Sequence, residues 1–547
     1  MKDKEFNLLD ESWIKVIDEK CSVHELSLIE LFEQAHTYKD LCGELPTQDF
    51  AMLRLLLAVL HTVFSRYDVD GSESPLDNPD DALDRWQTLW ENKRFPVAVI
   101  TKYLESQREN FYLFHPERPF YQVSELSKLG KIPNGEYDAQ KLNGELAKSK
   151  NKARLFVSVN GVEKQSLSYS QAARWLLHVN AFDDNALKAG TGIGWLGQLG
   201  LIALAGNNLF ETLMLNYIAY NINSEDVWEK ERPIWENKER MTTQKRHIEF
   251  PNNYSELYTL QSRRILLTRS DERVLGYKVL GGDYFDKETS EYEPMTIWKR
   301  QVKGGNIPKE HNSSIQFWRD FASIIYYTNI KNGNGDRNPG VILWFKLLLS
   351  PDDDLRIIPG DYFVKVKIAS VKYCGSQRSS IENVFADSIQ LHAALISDIN
   401  VRWRTVVLNS IQFCDDISKK VWSLARDINL ACGGSNRTKE SKGTAEFFAE
   451  RAKTDFYNRI DGSFRRWLCT LNPETDNAME KEIEWRKKCV GIARQLGNEI
   501  ISQTGTEAIF GRTSKSSEEK DKKKNKPLSA ASAMNRFLSG LSAAEKQ

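Results

Sequence analysis

Cysteine is sparse and scattered in this 547-residue chain: positions 21, 42, 374, 414, 432, 469 and 489, with no C-x-x-C pair among them. That pattern speaks against a zinc site and against the disulfide framework of a small secreted domain. The thiols are therefore expected to be reduced and mostly buried. A charge excess is also lacking, since 75 basic residues balance 75 acidic ones. No overall positive field marks a nucleic-acid binder, and any such site must be local. Long apolar runs are missing too: the strongest, 50–60, is interrupted by Arg54 and falls short of the roughly 20 residues that span a bilayer. The first five residues, Met-Lys-Asp-Lys-Glu, carry no apolar signal core. A cytoplasmic protein with no membrane contact is expected.

Several catalytic patterns are absent as well. There is no H-E-x-x-H, no G-x-x-x-x-G-K-[ST], no G-x-S-x-G and no EF-hand loop. The eight histidines are widely spaced, and His61, set in an apolar helix, reads as a core histidine rather than a ligand. The carboxylates Asp183-Asp184 and Asp352-Asp353-Asp354 are the acids a metal-dependent nuclease would draw on. No further acid or histidine stands at a helpful spacing, so a loop or helix start explains them more simply.

What is present is a globular composition, 41% apolar and 27% charged with 14 tryptophans. At roughly 150 residues per domain, two to four domains fit. Helices are expected at 46–67, buried almost all round, and at 81–92, 170–180 and 209–221, with a packed aromatic loop at 111–123. Residues 130–152 are polar and read as an exposed connection ahead of a strand at 154–159. Strands are expected at 264–268, 341–345 and 362–370. Residues 1–384 thus read as one mixed α/β domain of irregular topology.

Beyond about 385 the period changes. Val407, Cys414, Ile417, Val421, Leu424 and Ile428 make one helical stripe, and Gly433-Gly434 ends it. Phe448, Ala452, Phe456, Ile460, Phe464, Trp467 and Leu471 make a second, and Trp485, Cys489, Ile492, Leu496 and Ile500 a third. A fourth segment, 530–541, follows a lysine-rich stretch at 515–527 with almost nothing apolar, which reads as a disordered linker. The fold class is therefore α+β: a large mixed domain at 1–384, then an all-α four-helix bundle at 385–547.

Two features suit nucleic acid. Arg459, Arg465, Arg466, Arg486, Lys487 and Lys488 lie on bundle helices, where a rigid backbone holds charge in register with phosphates, although such charges also mark ordinary solvated faces. The lysines of 520–526 also fit phosphates, with solvation of a linker the simpler reading. Segment 188–200 carries more glycine than a loop needs, which allows positive φ and close backbone approach. It is no dinucleotide fingerprint, because a helix rather than a strand precedes it.

A set of short stretches in order along the chain carries a resemblance. They are Glu11-Ser12-Trp13-Ile14, His115-Pro116-Glu117-Arg118-Pro119-Phe120, Ser170-Gln171-Ala172-Ala173-Arg174-Trp175-Leu176, Gly192-Ile193-Gly194-Trp195-Leu196-Gly197 and Glu293-Pro294-Met295-Thr296-Ile297-Trp298. Together they resemble the CasA family, the large subunit of the type I-E CRISPR surveillance complex Cascade. The resemblance implies a non-enzymatic, cofactor-free protein in antiviral defence. Its implied partners are the guide RNA 5′ handle, double-stranded target DNA, the Cascade backbone, handle-binding and small subunits, and a separate helicase-nuclease. Its implied job is to read the protospacer-adjacent motif and to open the duplex for guide-RNA pairing, the R-loop. A metal-dependent nuclease acting on foreign DNA is the alternative, and a structural scaffold without DNA contact a third reading.

Site residues follow by resemblance. Phe156, Val157 and the turn Asn160-Gly161 resemble the loop that docks on the RNA handle and neighbouring subunits. Asp183, Asp184, Asn185, Ala186, Leu187 and Lys188 resemble the loop that approaches the minor groove, with Ala186 standing where the family often has glycine. Gly375, Ser376, Gln377, Arg378 and Ser379 resemble the hairpin that wedges beside the motif, and Lys278 is the candidate for a lysine inserted into the minor groove.

Overall fold

The computed structural model describes residues 4–132, 135–145, 147–149, 152–153, 165–184, 192–237, 242–270, 272–285, 292–301, 305–325, 337–350, 356–375, 378, 380–398, 400–433, 439–511 and 528–546. The chain divides into two compact units. One comprises residues 1–358 with 363–389, and the other 359–362 with 390–547.

The first unit is α+β and irregular. Its longest apolar helix, Pro46–Phe64, starts with proline at the first turn and is buried at every position from Phe50 to Phe64. By length and composition it is apolar enough to cross a membrane, yet it lies inside this unit's core. Burying Arg54 in such a helix requires a partner. Glu293, fully buried, supplies it at 2.7 Å, the Leu257 carbonyl accepts a second bond, and the Tyr258 ring lies 4.5 Å from the guanidinium. The other Glu293 oxygen accepts the Trp195 indole N–H at 2.9 Å. Two of the recognisable stretches thus meet in one buried network. His61 is a core histidine: burial holds its imidazole down to about 3, so its 3.9 Å approach to Glu231 joins a neutral ring to a carboxyl.

Two three-stranded sheets matter for the site. In the first, the order is Arg263–Ser270, Arg273–Gly281, Glu136–Asp138, all antiparallel. In the second, Phe363–Tyr373 lies between Ile381–His392 and Leu201–Ala205, with Lys365 opposite Ala205 and Ala369 opposite Leu201. Val364, Val366 and Ile368 alternate inward along the central strand, as the period of two requires.

Several expectations are corrected. Residues 341–345 belong to a helix, Gly340–Leu348, because a run buried on nearly all sides loses the periodicity that separates helix from strand. The helix expected to reach Asn221 ends at Asn216. Residues 130–152 are not merely an exposed connection: Glu136–Asp138 adds an edge strand and Ala139 and Leu142 are buried, in elements too short to show a period. The aromatic loop includes a three-residue strand, Tyr112–Phe114, paired with Glu5–Asn7. Only Cys414 and Cys489 are buried, against the expectation for most of the thiols. The strand expected at 154–159 and the acids Asp352, Asp353 and Asp354 lie outside the described residues.

The second unit contains the helices Val401–Ala431, Lys439–Thr470, Ala478–Ser502 and Ala530–Lys546, with a short helix Thr506–Phe510. Phe464, Trp467 and Trp485 form its aromatic centre, with ring centroids 5.0 to 5.5 Å apart. The second stripe differs from expectation at its start: Phe447 and Phe448 are exposed, and Ala445 and Ala449 face the core. The stretch 515–527 lies outside the described residues.

Candidate nucleic-acid interface

The helix Tyr169–Phe182 begins with a capping box, Ser168 with Gln171, and ends where Asp183 turns extended. Its C-terminal carbonyls need donors. Just past the helix end, the side chain of Arg263, fully buried at the start of its strand, supplies donors to the carbonyls that follow it. Its Nε donates to Asp183 Oδ2 at 2.7 Å. Its Nη2 donates to the carbonyls of Asp183, Asp184 and Gly192 at 3.3, 3.0 and 2.8 Å. The chain enters segment 185–191 at Asp184 and leaves it at Gly192, so one guanidinium grips both ends of that segment.

The exit is built on glycine for backbone reasons. Gly192 has φ +71°, which side-chain-bearing residues rarely adopt, and a Cβ at Gly194 would collide with the Ala181 carbonyl. The Gly194 N–H in turn donates to the Asp183 carbonyl at 2.9 Å. These two glycines therefore close the neck of the segment. Asp184 accepts from Lys141 Nζ at 3.2 Å. Asp183 and Asp184 are 8% and 4% exposed, so their carboxylates point into the protein and hold the neck rather than reach outward.

Three tyrosines surround this acidic pair. Burial, and then the Asp183 and Asp184 charges, push the Tyr137 phenol up to about 12 and those of Tyr277 and Tyr373 well above their usual value. Nearby, burial lowers the His178 imidazole to about 4; that ring stacks on Phe182 at 5.0 Å and pairs with the Thr47 hydroxyl at 3.0 Å.

Tyr373 is also the last residue of the strand that leads into the hairpin turn. Its hydroxyl donates to the Phe182 carbonyl at 2.6 Å. A Cβ on Gly197 would collide with that hydroxyl, so the glycine leaves it room. Ile381, first residue of the return strand, lines a cavity of about 30 Å³ with Lys141, Phe182, Asp183 and Asp184. The turn itself is closed by the Cys374 N–H on the Ser380 carbonyl at 2.8 Å and the Arg378 N–H on the Gly375 carbonyl at 3.2 Å. Gly375 and Arg378 both have positive φ, +66° and +50°.

The structure therefore brings Asp183, Asp184, Gly375 and Arg378 to one region. It does not bring Lys278 there by its side chain. Tyr277 feels the Asp183 and Asp184 charges, so its strand neighbour Lys278 faces the other side. Lys278 Nζ donates to the Leu129 carbonyl at 2.9 Å and lies 3.6 Å from Glu136. Arg378 is half-exposed and paired with Glu310 at 3.0 Å. Asn185, Ala186, Leu187, Lys188, Ser376, Gln377, Ser379, Phe156, Val157, Asn160 and Gly161 lie outside the described residues.

In the second unit Arg459 binds Glu499 at 2.7 Å, Arg465 binds Asp461 at 2.8 Å and Arg486 binds Glu482 at 2.7 Å. Arg466, Lys487 and Lys488 are exposed. Among the described residues no three His, Cys, Asp or Glu side chains gather as a metal site. Sequence reasoning misses Arg263, Tyr373 and Lys141. The available signal is Arg263-Arg264 at the head of an apolar strand, since an arginine in a buried run demands a partner.

An α+β unit of irregular topology with a separate helical unit is the architecture of CRISPR-associated Cse1 structures. The crystal structure of Thermobifida fusca Cse1 is similar at a TM-score of 0.80 and 27% identity, covering 99% of this chain and 98% of that one. A chain of a structure described as a CRISPR RNA-guided surveillance complex shares the fold at a TM-score of 0.66 and 14% identity, covering 98% of this chain and all of that one. The CRISPR-associated protein CasA/Cse1 of Thermus thermophilus is 32% identical over 332 residues, a match spanning 59% of this chain and 60% of that protein's length. The family model of CRISPR-associated protein Cse1 matches residues 7–496, and the chain belongs to that family.

Proposed function

We propose that this chain is the large subunit of a type I-E CRISPR guide-RNA surveillance complex, which reads the protospacer-adjacent motif in duplex DNA and starts strand separation. Family membership supports the subunit role, and the likeness to a chain of an RNA-guided surveillance complex supports the assembly. The loop 183–188 reads the motif from the minor groove, and the turn 375–379 wedges into the first base pair beside it. The observation that carries this reading is the Tyr373–Phe182 hydrogen bond, which sets the root of the wedge against the root of the reader.

The minor groove presents a degenerate pattern, so a reader made of backbone and short side chains tolerates several motifs. Opening each base-pair step costs about 1.4 kcal/mol of stacking, which guide-RNA pairing returns. Such a protein needs a wedge and a phosphate grip and no bond-breaking chemistry. The inward carboxylates of Asp183 and Asp184, held by Arg263 and Lys141, suit that role better than a nuclease centre. Phe156, Val157, Asn160 and Gly161 dock on the guide RNA 5′ handle and the backbone subunits, and a separate helicase-nuclease makes the cut.

Reconstitution with guide RNA and the neighbouring subunits tests the reading. The complex is expected to bind and open a matching duplex only beside a suitable motif, with affinity falling steeply as salt rises. Equal binding by a complex lacking this chain would contradict it.

A further inference from the structure

The middle of the helical unit concentrates charge of one sign. Residues 456–470 carry Arg459, Arg465 and Arg466 against one acid, Asp461, and residues 485–498 carry Arg486, Lys487, Lys488 and Arg494 with no acid at all. Arg459, Arg465 and Arg486 are committed to Glu499, Asp461 and Glu482. Arg466, Lys487, Lys488 and Arg494 are exposed, and none of them forms an ion pair among the described residues. Uncompensated cations grouped in this way, in a chain with no net charge, make a local field that attracts an anionic polymer.

Two glycines stand in the same turns. Gly462 and Gly491 lie in the interiors of the helices Lys439–Thr470 and Ala478–Ser502, on their solvent faces. Glycine there weakens a helix relative to alanine, so its presence calls for a reason. Packing supplies one for Gly497, where a Cβ would stand 2.5 Å from the Phe537 ring. It supplies none for the other two: a Cβ at Gly491 would meet nothing within 4 Å, and one at Gly462 only the Arg466 guanidinium at 3.6 Å, an ordinary contact. The helices run antiparallel, and the Phe464–Trp485 ring contact and the Arg459–Glu499 bridge bracket both glycines, which therefore lie at about the same height. Arg466, Lys487 and Lys488 stand about one turn to one side of that level and Arg494 about one turn to the other. The rise from Lys487 to Arg494 makes the band about 10 Å high.

We propose that this band is a DNA contact distinct from the motif loop and the hairpin turn: a single strand crosses the two helices with its backbone against Gly462 and Gly491 and its phosphates on Arg466, Lys487, Lys488 and Arg494. A surface without Cβ atoms admits close approach of a sugar-phosphate backbone, which accounts for both glycines. A band about 10 Å high accommodates one strand, whereas the major groove of a duplex alone is about 12 Å wide and a whole duplex would ride on the rims. Phosphate contacts carry no sequence information, as a site for any target requires. The strand is the one displaced when the duplex opens; that origin alone rests on the proposed function.

The test is binding of a labelled single-stranded thymidylate oligomer, and of a duplex of equal length, by the full chain, followed by anisotropy across a salt series. Wild type is expected to prefer the single strand, with a salt slope of about three, since each phosphate neutralised on a single strand contributes about 0.7. Lys487→Ala combined with Lys488→Ala is expected to lower affinity about tenfold and the slope by about 1.4, and Arg466→Ala to lower the slope by about 0.7. Gly491→Ala is expected to weaken binding about threefold at an unchanged slope while raising the thermal midpoint, so that its loss of affinity is not a loss of fold. Unchanged affinity in both the lysine pair and Gly491→Ala would overturn the proposal. So would variants that bind the strand like wild type yet no longer join the neighbouring subunits, which would make the band a docking face for an acidic protein surface. Motif-dependent opening is read separately, by permanganate on a paired target in the assembled complex. Its absence in wild type would overturn the proposed function while strand binding by the band stands, and its presence beside variants that bind the strand normally would remove the band alone.

Discussion

The Tyr373 hydroxyl donates to the Phe182 carbonyl across 2.6 Å, so the strand that enters the 375–379 turn is bonded to the residue that precedes the Asp183–Asp184 neck. The two loops are about 190 positions apart in sequence, and the fold places their roots side by side. The root of the turn and the Asp183–Asp184 neck therefore share one base.

If Arg378 grips a phosphate as proposed, it does so with part of its charge already engaged. Its pair with Glu310 is solvent-exposed at 3.0 Å and worth about 0–1 kcal/mol. Replacing Glu310 with Gln is expected to strengthen duplex binding by the complex up to about fivefold, by freeing the guanidinium for a phosphate. Arg378→Ala is expected to weaken binding on all sequences alike and to reduce the salt slope by about one. A titration of affinity against salt distinguishes the two. An unchanged slope in Arg378→Ala would remove this arginine from the phosphate grip.

The pair Arg54–Glu293 is fully buried in the first unit, so breaking it is costly. Glu293→Ala leaves an arginine charge with 2% exposure and strands the Trp195 indole N–H. A loss of about 3–5 kcal/mol is expected in denaturant unfolding of this chain. A loss below about 1 kcal/mol would show that water or a neighbour replaces the carboxylate.

Glu231 makes stability depend on pH. Burial raises its carboxyl from 4.5 to about 7, with the Ser255 and Tyr254 N–H groups only partly offsetting it and the neighbouring His61 ring neutral. An acid whose folded pKa is raised stabilises the fold fully below its unfolded value, and that contribution is lost as pH rises through about 7. Glu231→Gln is expected to remove this slope. Relative to wild type, the variant should gain stability between about pH 5 and 8 by at most about 3 kcal/mol, at about 1.36 kcal/mol per pKa unit. Parallel stability profiles for the two proteins would contradict it.

Long elements are legible in more than one way: the helix at 46–64 from its polar start and the length of its apolar run, the strand 363–373 from alternation, and the long bundle helices from their stripes. Residues 341–345 mimic a strand because the helix Gly340–Leu348 is buried on nearly all sides, which erases the stripe. The neck is illegible for a different reason. Arg263 finds Asp183 and Gly192 some 70 to 80 positions away, and no local spacing encodes that meeting. The glycines of 192–197 are visible as an excess, but their work is backbone approach to Ala181 and room for Tyr373. Glu293 and Trp195 stand out as parts of recognisable stretches, and the contact between them explains why both are needed.

In the proposed function the 375–379 turn separates the strands beside the motif, and Gln377→Ala is the substitution that probes it. The direct measurement is permanganate reactivity of target thymines in the assembled complex carrying wild type or Gln377→Ala, on a fully paired target and on one with a pre-opened bubble beside the motif. Gln377→Ala is expected to bind and react like wild type on the bubbled target and to open the paired target much more slowly. Equal reactivity of the two proteins on both targets would contradict it.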